Sequence, residues 1–157
     1  MIPTAASVPL VVVNAIASAI WVGGLVAIFV VARAASRTLD PAQRVAFFRA
    51  LGRAYGVVGT VALLVALATG AILLDDHPWD GVLIATAALA GALLLAAVAG
   101  MAQARAMTRL RRRALESGAD AEILARVRRG AVLATALRAA IALITLALVV
   151  LGAVLVA

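Results

Sequence analysis

The chain has 157 residues, is 66% hydrophobic, and has a mean hydropathy of +1.17 and a net charge of +7. This lies far outside the soluble globular range, and the length holds one bundle with no separate soluble domain. The absence of cysteine excludes disulfides, thiolate metal sites and cysteine nucleophiles; all 14 basic residues are arginine, which with so much Ala and Val reads as the codon bias of a GC-rich bacterial genome.

Charge is missing from four long segments. We read four spans at about 8–32, 56–74, 81–102 and 132–157, the last free of charge from residue 139. Each is about the ~20 apolar residues that a helix needs to cross a bilayer. The runs do not alternate, which excludes barrel strands. The expected fold is all-α, a four-helix transmembrane bundle forming a single transmembrane domain over residues 1–157.

The first span follows Met1-Ile2-Pro3-Thr4, which has no basic n-region. The apolar run is too long for a signal-peptide core, so it reads as a retained span. Asn14, Ser18 and Trp21 stand at i, i+4 and i+7, on one helix face, with Gly24 near it. Two readings are open. In one, the face is a packed interface, with Asn14 hydrogen-bonded across the bundle and Gly23 or Gly24 admitting a neighbour. In the other, the three residues line a ligand or ion site, since intramembrane polar groups tend to mark function.

The first connection carries Arg33, Arg37, Arg44, Arg49 and Arg53. Asp40-Pro41-Ala42-Gln43 predicts a helix start, with Asp40 as cap, Pro41 at the first position and Gln43 reaching back. Val45, Phe48, Leu51 and Tyr55 then recur at helical spacing. The second helix is expected to run unbroken from there into the membrane.

Asn14-(x)6-Trp21-Val22-Gly23-Gly24 resembles the first-span pattern of the copper-resistance CopD-like membrane proteins and their relatives of unknown function. That pattern is roughly His-(x)6-Trp-x-Gly-Gly, followed by an arginine-rich connection and a second span ending near Thr-Gly, as Thr69-Gly70 does here. The resemblance covers about residues 10–74. Asn14 replaces the family-like histidine, so haem or copper bound through that residue in relatives would not be held here in the same way. The resemblance therefore implies the fold more than the chemistry.

The middle connection is acidic: Asp75, Asp76, His77, Pro78, Trp79 and Asp80. Three carboxylates and an imidazole are a candidate outer site for zinc, copper(II) or manganese. The plainer reading is an exposed turn in which Pro78 breaks the helix, Trp79 anchors at the interface and Asp76 or Asp80 caps. The third helix is expected to continue past Met101 into Arg109–Arg113, with Ser117-Gly118 as breaker and Asp120 or Ser117 capping the fourth helix. A faint likeness between residues 40–52 and 120–130 suggests a parallel repeat. Small pairs at Gly52/Gly56, Ala66/Gly70, Ala87/Gly91 and Ala96/Gly100 are candidate helix contacts. Arg138, eight residues beyond Gly130, either snorkels to headgroups or faces an anionic ligand in the bundle.

Five arginines in the first connection, eight in the third and none in the middle one set the orientation. By the positive-inside rule both termini are extracytoplasmic and the helices extend into the cytoplasm. The positive charge is then an orientation signal, with anionic headgroups as a further partner and no nucleic acid. No span contains a carboxylate, and one histidine excludes bis-histidine haem within the chain. No nucleophile triad, phosphate loop or zinc-protease motif is present, so no enzyme is expected and no cofactor is assigned. The expected protein is a multi-pass, CopD-like protein of the bacterial inner membrane that handles or passes a metal ion or small ligand. The alternative is a non-catalytic accessory or structural subunit of a larger membrane complex or homo-oligomer.

Overall fold

The computed structural model describes residues 7–117 and 121–156. The helices are α1 (Ser7–Thr38), α2 (Pro41–Leu73), α3 (Gly81–Ser117) and α4 (Ala121–Val156). No strand occurs among the described residues. Each helix contains a stretch long and apolar enough to cross a membrane: Val8–Thr38, Ala46–Leu73, Gly81–Leu110 and Arg128–Leu155. The helices extend past the charge-free segments into the arginine-rich connections, as the sequence predicts. Large apolar side chains such as Val26, Phe29, Leu95 and Leu143 remain well exposed. Apolar faces this extensive belong in lipid rather than water.

The chain divides into two compact units, one ending at His77 and one beginning at Pro78. Each is a helical hairpin. In hairpin 1, α1 packs against α2; in hairpin 2, α3 packs against α4.

The turn of hairpin 1 corrects one expectation. Asp40 holds the N-cap position with an extended backbone and Pro41 begins the helix, but the Asp40 side chain makes no capping hydrogen bond. Pro41 removes one of the orphan N–H groups of the first turn, and Asp40 itself lies exposed, where water serves its carboxylate. Closure comes instead from Arg44, whose Nη2 donates to the carbonyl oxygens of Ser36 and Leu39, each at 3.2 Å. These lie at the carbonyl-rich end of α1, where a cation is favoured. The expected capping box is thus replaced by a guanidinium bridging back to the previous helix. The expected break at Ser117-Gly118 and the cap from Asp120 or Ser117 concern residues or side chains outside those described.

The small-residue pairs are used unevenly. A Cβ on Gly70 would touch the Asn14 amide at 3.5 Å, and one on Gly100 would just reach Ile141 at 4.0 Å. Gly52, Gly56 and Gly91 meet nothing within 4 Å among the described residues. The closest approaches lie elsewhere. A Cβ on Gly24 would overlap the Tyr55 ring and hydroxyl, and one on Gly130 would overlap the Met107 thioether.

Candidate functional site

The polar stripe of α1 lies against α2. Asn14, Ser18 and Trp21 are all half-buried. The Asn14 amide nitrogen donates to the Ala66 carbonyl at 2.8 Å and to Thr69 Oγ1 at 2.9 Å. Thr69 is buried, and its hydroxyl lies 2.7 Å from the Val65 carbonyl, one turn back along α2. Asn14, Thr69 and Val65 thus form a short polar chain across the hairpin. An amide left without partners in hydrocarbon would cost roughly 2–7 kcal/mol. Pairing it across the hairpin removes that penalty and fixes the register of α1 on α2.

A second bridge stands deeper along the same pair of helices. Tyr55 packs its ring over Gly24, and its hydroxyl donates to the Trp21 carbonyl at 3.1 Å. Only a glycine leaves room for the ring there. The expectation that Gly23 or Gly24 admits a neighbour therefore resolves to Gly24, with open space at Gly23 among the described residues. Tyr55 and Thr69 were the unrecognised half of this stripe. Their signal was available: in an antiparallel hairpin, residues whose numbers sum to a near-constant value face one another.

Several hydroxyls in the spans are turned inward on their own helices. Thr60, Thr86 and Thr135 donate to the carbonyls of Gly56, Val82 and Ala131, four residues back. Such back-bonding satisfies a hydroxyl in lipid without offering it to a ligand.

In the acidic connection, Asp80 Oδ1 accepts the Leu83 N–H at 2.8 Å. Asp80 is therefore the N-cap of α3, receiving one of the helix's orphan donors. Asp75 and Asp76 are exposed, His77 is half-buried and Trp79 is 78% exposed. Among the described residues, no three His, Asp or Glu side chains form a group able to hold a metal ion.

Arg138 is exposed on α4, and no partner within the described residues engages it. Hairpin 2 is instead bridged by Gln103 of α3, which donates to the Gly130 carbonyl at 3.2 Å beside Met107. Gln103, Met107 and Gly130 were not picked out as a contact from the sequence.

The comparisons agree with a membrane protein whose chemistry is open. A family model described as a domain of unknown function, DUF4149, matches residues 16–116. The match covers more than half of the chain, which therefore belongs to that family. It meets the broader part of the first-span resemblance, a relative of unknown function. It begins two residues after Asn14 and stops before α4. No curated protein and no solved structure matches the chain.

Proposed function

We propose that this DUF4149 member is a non-catalytic, multi-pass protein of the bacterial inner membrane. It works by helix association, as an accessory or structural subunit of a larger membrane complex or as a homo-oligomer. One observation carries this reading: the Asn14 amide nitrogen, the strongest candidate donor for a ligand inside the membrane, is engaged by Ala66 and Thr69 of the neighbouring helix. A small-ligand site built on that donor would have to break both bonds, and histidine, the side chain best suited to hold a metal at this position, is absent from it. Asp80, a candidate metal ligand, is occupied as a helix cap. What the spans still offer is surface: broad apolar faces interrupted by small residues, which suit packing against other membrane helices. The arginine distribution supports a topology with both termini outside the cytoplasm.

The test is purification from native membranes in mild detergent, with native mass spectrometry and elemental analysis of the same sample. The expected result is a fixed stoichiometry, either with a second membrane chain or with copies of this one, and metal at background. A monomer carrying one equivalent of zinc or copper would overturn the proposal. That result would turn attention to His77, Asp75 and Asp76.

A further inference from the structure

Hairpin 2 bears an open groove of about 460 Å³. Ala99, Ala102 and Ala106 of α3 form one wall, Leu133 and Leu137 of α4 the other, and Gln103 is its polar lining residue. The alanines stand at i, i+3 and i+7, on one face of α3, so three short side chains in register leave the space. All six residues lie within the apolar stretches of their helices.

We propose that this groove seats an acyl chain of an anionic phospholipid, with Arg109 and Arg129 taking its phosphate. Arg109 follows Ala106 by three residues and Arg129 precedes Leu133 by four. Those spacings keep each arginine on the side of the helix that walls the groove. Both are exposed, and neither has a partner within the described residues. The Gln103–Gly130 bond sets α3 and α4 in register, so both arginines lie at the same end of the groove. The Cα–Cβ bond of a helical residue tilts toward the helix N-terminus. Because α3 and α4 are antiparallel, Arg109 leans back toward the groove and Arg129 leans away from it. The two Cα–Cβ bonds thereby point toward one level from opposite sides.

Below that level, about 9 Å along α3 from Arg109, stands the Gln103 amide. The order along the hairpin is guanidinium, amide, apolar wall. A phospholipid presents phosphate, glycerol ester and acyl chain in that order. The volume is that of a small-molecule site, too small for a second helix about 10 Å across. Charge at one end and apolar lining along the rest complement an anionic amphiphile. By the positive-inside rule this is a lipid of the cytoplasmic leaflet. The inference does not rest on the helix-association reading.

The experiment uses the full chain, delipidated and reconstituted into nanodiscs of equal phosphatidylglycerol and phosphatidylcholine. Retained lipid is read by native mass spectrometry. Wild type should keep phosphatidylglycerol over phosphatidylcholine by about thirtyfold, two arginines each favouring the anionic headgroup by about fivefold. Arg109→Gln with Arg129→Gln should bring the ratio close to one. Ala102→Trp, which fills the groove, should remove retained lipid of both kinds. Arg33→Gln with Arg37→Gln, on hairpin 1, should leave the wild-type ratio. Circular dichroism checks that each variant keeps its helix. A photoactivatable phosphatidylglycerol on the wild type should label peptides holding residues 99–106 and 133–137, whatever the variants do. Equal retention of the two lipids, a ratio unmoved by the double substitution, or labelling confined to other segments would each overturn the proposal. So would a photocrosslinker at position 102 that captures a protein instead of lipid.

Discussion

Replacing Asn14 by leucine isolates what the polar bridge contributes to hairpin 1. Leucine is close to asparagine in shape, so the substitution removes two hydrogen bonds while leaving volume almost unchanged. The lost bonds run to the Ala66 carbonyl at 2.8 Å and to Thr69 Oγ1 at 2.9 Å. Neither acceptor is stranded. The Thr69 hydroxyl keeps its bond to the Val65 carbonyl, and the Ala66 carbonyl keeps the backbone bond of its own helix. The cost is therefore that of the bonds alone, without an orphaned buried group. Interhelical side-chain bonds in membranes average about 0.6 kcal/mol and reach about 1.7. Two of them predict a loss of about 1 kcal/mol, roughly a fivefold shift in the unfolding equilibrium. The assay is reversible unfolding by dodecyl sulfate in mixed micelles, followed by circular dichroism. A double-mutant cycle with Thr69→Val should return a coupling of about 0.5–1 kcal/mol for the side-chain pair. An Asn14→Leu protein as stable as wild type, with zero coupling, would refute the bridge. A loss above about 4 kcal/mol would also refute the reasoning, because two satisfied-acceptor bonds cannot supply it.

The two close glycines should respond differently. Gly24→Ala forces a Cβ into the Tyr55 ring and should cost about 1–3 kcal/mol, most of it recovered when Tyr55→Leu is added, as measured in the same micelles. Gly130→Ala meets the flexible Met107 thioether and should cost less than about 1 kcal/mol. Arg44→Gln removes the guanidinium from the Ser36 and Leu39 carbonyls; hydrogen exchange should quicken at the end of α1 while global stability falls by only about 0.3–1 kcal/mol. Reporters fused to each terminus should be silent when active only in the cytoplasm and bright when active only outside it. A cytoplasmic signal from either end would reverse the topology.

What could be read from the sequence followed from single-helix rules. The charge-free segments located all four spans, because a charge in hydrocarbon is expensive wherever its helix packs. Pro41 marked the start of α2, because its missing N–H suits only the first helical turn. The contacts that shape each hairpin were less legible, because they depend on two helices together. Gly52/Gly56 and Ala87/Gly91 have the spacing of a packing motif, yet Gly52, Gly56 and Gly91 face open space among the described residues. Gly24 and Gly130 are the crossing points because Tyr55 and Met107 arrive opposite them. Asp40 misled for a related reason. A cap signature describes one helix start, whereas Arg44 closes this turn by reaching back to the helix before it.

The two hairpins solve one problem with the same kind of bond. Each needs a specific contact between helices whose apolar faces are no stickier to one another than to lipid tails. Each supplies a hydrogen bond from a side chain to a backbone carbonyl across the hairpin, beside a glycine. In hairpin 1 the donors to backbone sit on both helices, Asn14 to Ala66 and Tyr55 to Trp21. In hairpin 2 the donor is Gln103 on the first helix, bonded to Gly130 on the second. A parallel repeat pairing residues 40–52 with 120–130 would place the second hairpin's tyrosine equivalent on α4, shortly after Gly130. The residues there are Ala131, Val132 and Leu133, and the bridge comes from α3. A backbone acceptor also makes these bridges indifferent to the side chain at the accepting position. Substitution at Trp21 or Ala66 should leave its bridge in place, whereas substitution at Asn14, Tyr55 or Gln103 should break it.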